Sequence, residues 1–193
     1  MSALWTLPTR AVIGGKSYDI HGDFRDILEI FRYLDDPQLP VFLRWRIALA
    51  LFYEPQLPEK DLPEGTQYLI WFVNGGAAPK TNPDKRLLDW EQDALAIVAD
   101  VNRVAGCEIR RLDFLHWWTF LAWFHSIGEG QLSTLVRIRR KLRQGKKLDE
   151  EEAAFYRENP EAVKLAQRDG MIGHEKQALL DMLERKERGT WQE

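Results

Sequence analysis

The sequence predicts a mainly α protein, a multi-helix orthogonal bundle around a central aromatic helix, with a small N-terminal β-hairpin. Three observations lead there. From Phe24 onward, apolar residues recur at i, i+3, i+4 and i+7 in segment after segment. The run from Leu112 to Ile127 carries Phe114, Leu115, Trp117, Trp118, Phe120, Leu121, Trp123 and Phe124. Those side chains point all round a helix axis, so the run is either a buried hub or a binding surface. Residues 1–22 lack helical periodicity, and there Gly14-Gly15 separates two short apolar runs.

Composition bounds the rest. A chain of 193 residues, 45% hydrophobic and 30% charged, is ordinary for a soluble globular protein and excludes disorder throughout. The formal net charge of −3 gives no global attraction to nucleic acid or anionic lipid, so such binding needs a local patch. Cys107 is the lone cysteine and cannot form an internal disulfide, and no leader opens the chain, which fits a cytoplasmic protein. The central run is about 16 residues long and holds Asp113, His116 and His125, short of the roughly 20 apolar residues that span a bilayer. Eight tryptophans mark where a core should lie.

Taken in order, Ala11-Val12-Ile13 and Lys16 to Ile20 form the hairpin, because two glycines supply the positive φ angles of a two-residue turn. Its Val12, Tyr18 and Ile20 side is expected to pack on the helices. Asp23 caps a helix bearing Phe24, Ile27, Leu28, Phe31 and Leu34, stopped at Asp35-Asp36-Pro37. A second helix spans about 41–53, with Phe42, Trp45, Leu49 and Phe52 on one face, and Pro55 and Pro58 beyond it. A third covers 63–73 and closes at Asn74-Gly75-Gly76. After a polar loop holding Pro79 and Pro83, Leu87, Leu88, Ala94, Leu95, Val98 and Val101 predict a helix over 84–104, with Gly106 past its end.

The central helix is expected to be entered through Asp113 and terminated by Gly128 and Gly130. Ser133 then caps a helix carrying Leu135, Val136, Ile138 and Leu142 on an otherwise basic surface. Asp149-Glu150-Glu151-Glu152 opens another as a capping box, with an acidic first turn that suits the helix dipole. Asn159-Pro160 restarts the chain into a weak helix, and a last one is predicted over 174–188. The expected organisation is a hairpin plus helical core over 1–147 and a C-terminal helical arm over 148–193, which packs lightly on the core, changes position or swaps between subunits, the alternative being that it is part of the same domain.

Residues that could carry chemistry have bland readings that outweigh the sharp ones. Asp113 and His116, three apart, could orient an imidazole, but no nucleophile motif accompanies them. Cap and core residue is the default. No His-x-x-x-His or Cys-x-x-Cys spacing supports a metal, and no cofactor motif is present. Gly14-Gly15-Lys16-Ser17 lacks the upstream glycine and following helix of a phosphate-binding loop. Asp84, Asp89, Glu91, Asp93 and Asp100 are spread along one predicted helix, where Asp89 and Asp93 at i, i+4 could seat a cation or remain hydrated, the hydrated face being favoured. Arg137, Arg139, Arg140, Lys141, Arg143, Lys146 and Lys147 place seven cations and no anion within eleven residues. The acidic run follows at once and no aromatic interleaves them, so an ion-paired, solvated face is favoured. An acidic protein surface ranks before nucleic acid as its partner.

Several landmarks fall in a recognisable order: the opening hairpin, Asp23-Phe24-Arg25, Trp71-Phe72-Val73-Asn74-Gly75-Gly76, Leu88-Asp89-Trp90-Glu91-Gln92-Asp93, Leu115-His116-Trp117-Trp118-Thr119-Phe120, and Ile138-Arg139. Over about residues 7–147 the chain resembles the bacteriophage gene-15-product family of long-tailed phages and prophages. Trp90, where a smaller aromatic is expected, and the longer segment after 149 depart from that pattern. The resemblance implies no enzyme. It implies a non-enzymatic, tail assembly chaperone-like protein in the cytoplasm of the bacterial host, acting on the tape-measure protein, with the tail-tube protein as a further partner and self-association allowed. The residues supply only the means: a groove that takes an amphipathic helix. Partner-binding candidates are Trp123, Phe124 and Ile127 at the end of the central helix, with Arg137, Arg139, Arg140 and Arg143 on the helix after it. The alternative is a helical nucleic-acid-binding protein using the basic 137–147 helix.

Overall fold

The hydrogen-bonding pattern of a computed structural model, which describes residues 5–78 and 87–166, gives eight helices and a three-stranded antiparallel sheet among those residues. The chain is mainly α with a small N-terminal sheet, as predicted. Its described residues divide into two compact units, 5–78 and 87–166. Residues 148–166 of the expected C-terminal arm fall within the second unit. The remainder of that arm, including the helix predicted over 174–188, lies outside the described residues.

In the first unit β1 (Arg10–Ile13) and β2 (Lys16–Ile20) form the hairpin, with Gly14 and Gly15 at φ +55° and +77°. The register pairs Ala11 with Tyr18 and Val12 with Ser17. Because side chains alternate across a strand, Ala11, Ile13 and Tyr18 are buried and Val12 points outward, 65% exposed. The inward assignment of Val12 is therefore off by one residue, which on a strand reverses the face. A third strand that periodicity does not signal, β3 (Tyr53–Glu54), pairs Tyr53 with Ile20. Two residues are too few to show an alternation.

Helix α1 (Phe24–Leu34) begins at Asp23, whose carboxylate accepts from the Arg25 N–H at 2.9 Å. Helix α2 (Val41–Phe52) packs on α1 through Tyr33, Leu39 and Ile47, with Leu43 and Leu51 beside them. Val41 and Phe42 are 63% and 69% exposed, against the expectation that Phe42 lies on the buried face. The buried residues of α2 are instead Ile47 to Ala50 and Phe52, in its second half. Helix α3 (Leu62–Val73) follows a 3-10 turn and stops at Asn74, with Gly75 and Gly76 in the left-handed region.

This unit's core is aromatic. Phe52 meets Tyr53 edge-on at 4.8 Å and Phe72 at 5.0 Å, and the Tyr53 hydroxyl donates to the Gly65 carbonyl at 2.9 Å. A Cβ at Gly65 would meet a terminal methyl of Leu57, which would have to turn aside. The Gly14 N–H donates to Glu64 of α3 at 2.9 Å, fixing the hairpin turn on that helix.

In the second unit α4 (Ala94–Ala105) starts later than predicted. Residues Leu87 to Asp93 form an extended entry and a turn, in which the Asp89 side chain accepts from the N–H groups of Glu91 and Gln92. Aspartate at such a spot competes with helix for the local backbone donors. Gly106, at φ +70°, ends α4 as expected.

The central helix, α5 (Trp117–His125), is shorter than predicted, and its N-cap is His116 rather than Asp113. Its hub expectation holds for this unit. Trp117 and Phe120 are 1% exposed and Trp118 is buried. The rings of Trp117, Phe120 and Phe124 stack along one face, and Trp90 lies within 5.2–6.3 Å of all three. Helix α6 (Gln131–Arg143) buries Leu132, Leu135 and Ile138. Leu142 is 41% exposed rather than on the buried stripe. Helices α7 (Glu150–Glu158) and α8 (Pro160–Val163) pack on α6.

Candidate functional site

The run of seven cations does not form one solvated face. Arg139 is 5% exposed, and its guanidinium makes five hydrogen bonds, one for each of its N–H groups. Two go to the Asp93 carboxylate oxygens, both at 2.7 Å, in the bidentate fork that suits guanidinium to carboxylate. The others reach the carbonyls of Leu87 at 2.9 Å, Val163 at 2.9 Å and Ala162 at 2.6 Å. Asp93 Oδ2 also accepts from the Asp89 N–H. One side chain on α6 thereby ties together the entry to α4 and the end of α8. Gln92 adds a second clamp, donating to the carbonyls of Glu161 and Lys164 and accepting from the Ala166 N–H.

This corrects two expectations. Arg139 is a structural hub rather than a partner contact, and Asp89 and Asp93 are buried rather than a hydrated face. Asp100 is buried as well: it accepts from the Leu132 N–H at 3.0 Å and from Arg103 at 3.1 Å. It therefore supplies α6 with a carboxylate at its N-terminus from another helix. Gly130 is the N-cap, and a Cβ there would overlap that carboxylate. Ser133, expected as the cap, sits three residues in and accepts from the Gly130 N–H.

The remaining cations divide by partner. Arg137 donates to Glu129 at 3.2 Å and to Glu152 at 3.1 Å. Lys141 bridges Asp149 and Glu152. Asp149 and Glu152 close the predicted capping box reciprocally, at 2.9 and 3.1 Å. The Glu152 N–H, together with Lys141, holds the Asp149 carboxyl below its usual range. Arg140, Arg143, Lys146 and Lys147 are exposed. On α5, Trp123 and Phe124 are half-buried, as is Ile127 just after it. Thus of the residues picked out for partner binding, the structure leaves Trp123, Phe124, Ile127, Arg137, Arg140 and Arg143 with surface to offer.

The histidine pair reading does not survive as geometry. Asp113 lies before α5, exposed, while the buried His116 accepts the Trp118 N–H through Nδ1 at 3.1 Å. They do not share a helical turn. Cys107 is exposed. No cluster of three or more His, Cys, Asp or Glu able to hold a metal occurs among the described residues. No described helix is long and apolar enough to cross a membrane. In the first unit a cavity of about 30 Å³, lined by Arg46, Leu49, Gln56 and Glu59 among others, has room for a water molecule rather than an organic ligand.

The Arg139 hub and the Gln92 clamp escaped sequence reading. Their signal was the co-occurrence of Leu88-Asp89-Trp90-Glu91-Gln92-Asp93 with Ile138-Arg139, segments that the resemblance grouped without a physical link. Neither curated proteins nor solved structures gave a match. The family model of the bacteriophage Gp15 protein matches residues 6–165, beyond the 147 at which the resemblance stopped and through both α7 and α8. With most of its length so matched, the chain belongs to the bacteriophage Gp15 family.

Proposed function

We propose that this phage protein is a non-enzymatic tail assembly chaperone whose client is the tape-measure protein, engaged in the cytoplasm of the host before the tail tube closes round it. Family membership supports a phage structural or assembly role. The observation that carries the finer reading is the succession of a half-exposed apolar end of α5 (Trp123, Phe124), with Ile127 just after it, and the exposed cations Arg140 and Arg143 of α6. A long helical client with apolar faces aggregates unless those faces are covered. An apolar anchor flanked by charges of one sign suits an amphipathic helix with an acidic flank.

Co-expression with a tape-measure protein from the same phage genome is the test. The expected outcome is a soluble, copurifying complex that is lost on replacing Trp123 and Ile127 with Ser. Unchanged solubility of the tape-measure protein and no complex would remove the reading. Duplex DNA binding that weakens steeply with salt and disappears in the Arg140→Ala/Arg143→Ala variant would replace it with nucleic-acid binding.

A further inference from the structure

Helix α7 is held in an unusual way. Its one buried residue is a carboxylate, Glu152, whose side chain is 3% exposed. Phe155 and Tyr156, its large apolar residues, are only half-buried. Helix α8 contrasts with it, burying Val163 and locked by Arg139 and Gln92. The attachment of α7 to α6 thus rests on charge. Glu152 Oε1 accepts from Arg137 Nε at 3.1 Å, its Oε2 accepts from Lys141, and Lys141 also reaches Asp149 at 3.2 Å. Arg137 and Lys141 sit four apart, one turn along the same face of α6, with Arg140 adjacent. The joints on either side of α7 suit an opening: Gly145 at φ +65° precedes it, and Asn159 adjoins the anchored α8.

From this we infer that α7 is a displaceable cover on the basic face of α6, and that the face beneath is built to take the acidic first turn of a partner's helix. Glu152 shows the mode of recognition. It is the third residue of a capped helix, reading an Arg and a Lys one turn apart, and a partner's helix with a carboxylate there would make the same contacts. The reading of α6 as a partner surface is shared with the chaperone proposal, but the cover is a property of this chain whatever its client.

Hydrogen exchange on the full chain tests the cover, and a peptide tests the face. Raising NaCl from about 0.05 to 0.5 M should speed exchange of the α7 amides about threefold while leaving those of α4 and α6 unchanged, because Glu152 is buried but the groups it and the cap pair with stay open to salt, with Arg137, Lys141 and Asp149 side chains 45%, 29% and 59% exposed. Glu152→Gln, which keeps the shape of the capping box, should have a similar effect at low salt. A synthetic peptide copying residues 148–163 should then bind the Glu152→Gln chain about tenfold more tightly than wild type, and adding Arg137→Ala and Lys141→Ala should abolish that binding. Exchange of α7 in step with α4 at every salt concentration would overturn the cover. Equal peptide affinity for all variants, or none for Glu152→Gln, would overturn the face. Neither arm uses the tape-measure protein, so failure of the chaperone reading would show separately in the co-expression experiment.

Discussion

Replacing Arg139 with Met should cost the protein about 3–5 kcal/mol, because a buried charge is then left without its partner. The side chains of Arg139 and Asp93 are 4% and 1% exposed, so water cannot make good the loss. Asp93 would retain one backbone donor, the Asp89 N–H. The carbonyls of Leu87, Ala162 and Val163 would lose a charged donor each. Methionine keeps the unbranched stem of the removed side chain but not its guanidinium, so part of the cost is the space that group leaves. With a slope of about 2 kcal/mol per molar urea, the midpoint should fall by roughly 1.5–2.5 M. Urea unfolding followed by near-UV circular dichroism reads this shift. The double replacement Arg139→Met with Asp93→Leu should recover much of the loss, since an apolar pair need not satisfy a buried charge. A midpoint shift below about 0.5 M for the single variant would refute the reasoning.

Gly130→Ala should destabilise by about 1–3 kcal/mol, because its Cβ meets the Asp100 carboxylate that caps α6, whereas Gly128→Ala, with open space around it, should stay within about 0.5 kcal/mol; thermal melts of the two separate these. Phe42→Ser should change stability by less than about 0.5 kcal/mol, since the ring is exposed, while Trp117→Ala should cost about 3–5 kcal/mol in the same assay. Glu108 accepts from the side chain and backbone N–H of Arg110 and from Asn102, which draws its carboxyl down from 4.5 to about 2. A depressed carboxylate contributes stability that is complete above about pH 4.5 and lost as pH falls toward 2, so the Glu108 side-chain resonance should titrate near 2, and Arg110→Ala should return it toward 4.5.

The elements written in local chemistry were legible from the chain alone. The Gly14-Gly15 hairpin, the Asp23 cap, the Asn74-Gly75-Gly76 stop, the Gly106 stop and the Asp149–Glu152 capping box all depend on residues within a few positions of one another, so spacing reveals them. The density of aromatic residues also marked Trp117 and Trp118 as core before any fold was known, because so much apolar surface must be buried somewhere. Strand register and helix rotation were not legible. They depend on which neighbour an element meets, which is why Val12 and Phe42 were placed on the wrong side.

For charged residues sequence reading was weakest, and for a physical reason. Composition supplies an arginine and an aspartate with a strong prior for the surface, and nothing local overrides it. Arg139 and Asp93 are 46 residues apart, and only the packing of α6 against the entry to α4 brings them within 2.7 Å and shuts out water. The same packing sorts the run of seven cations into one buried hub, two that hold α7 and four that face outward. Sequence by itself determined that this chain is mainly helical, where those helices with a local cap or glycine stop begin or end, and that it resembles a phage family. Tertiary structure alone decided which charges hold the fold and which face outward, because the fate of a charge depends on its distance from water and from its opposite, and neither distance is encoded locally.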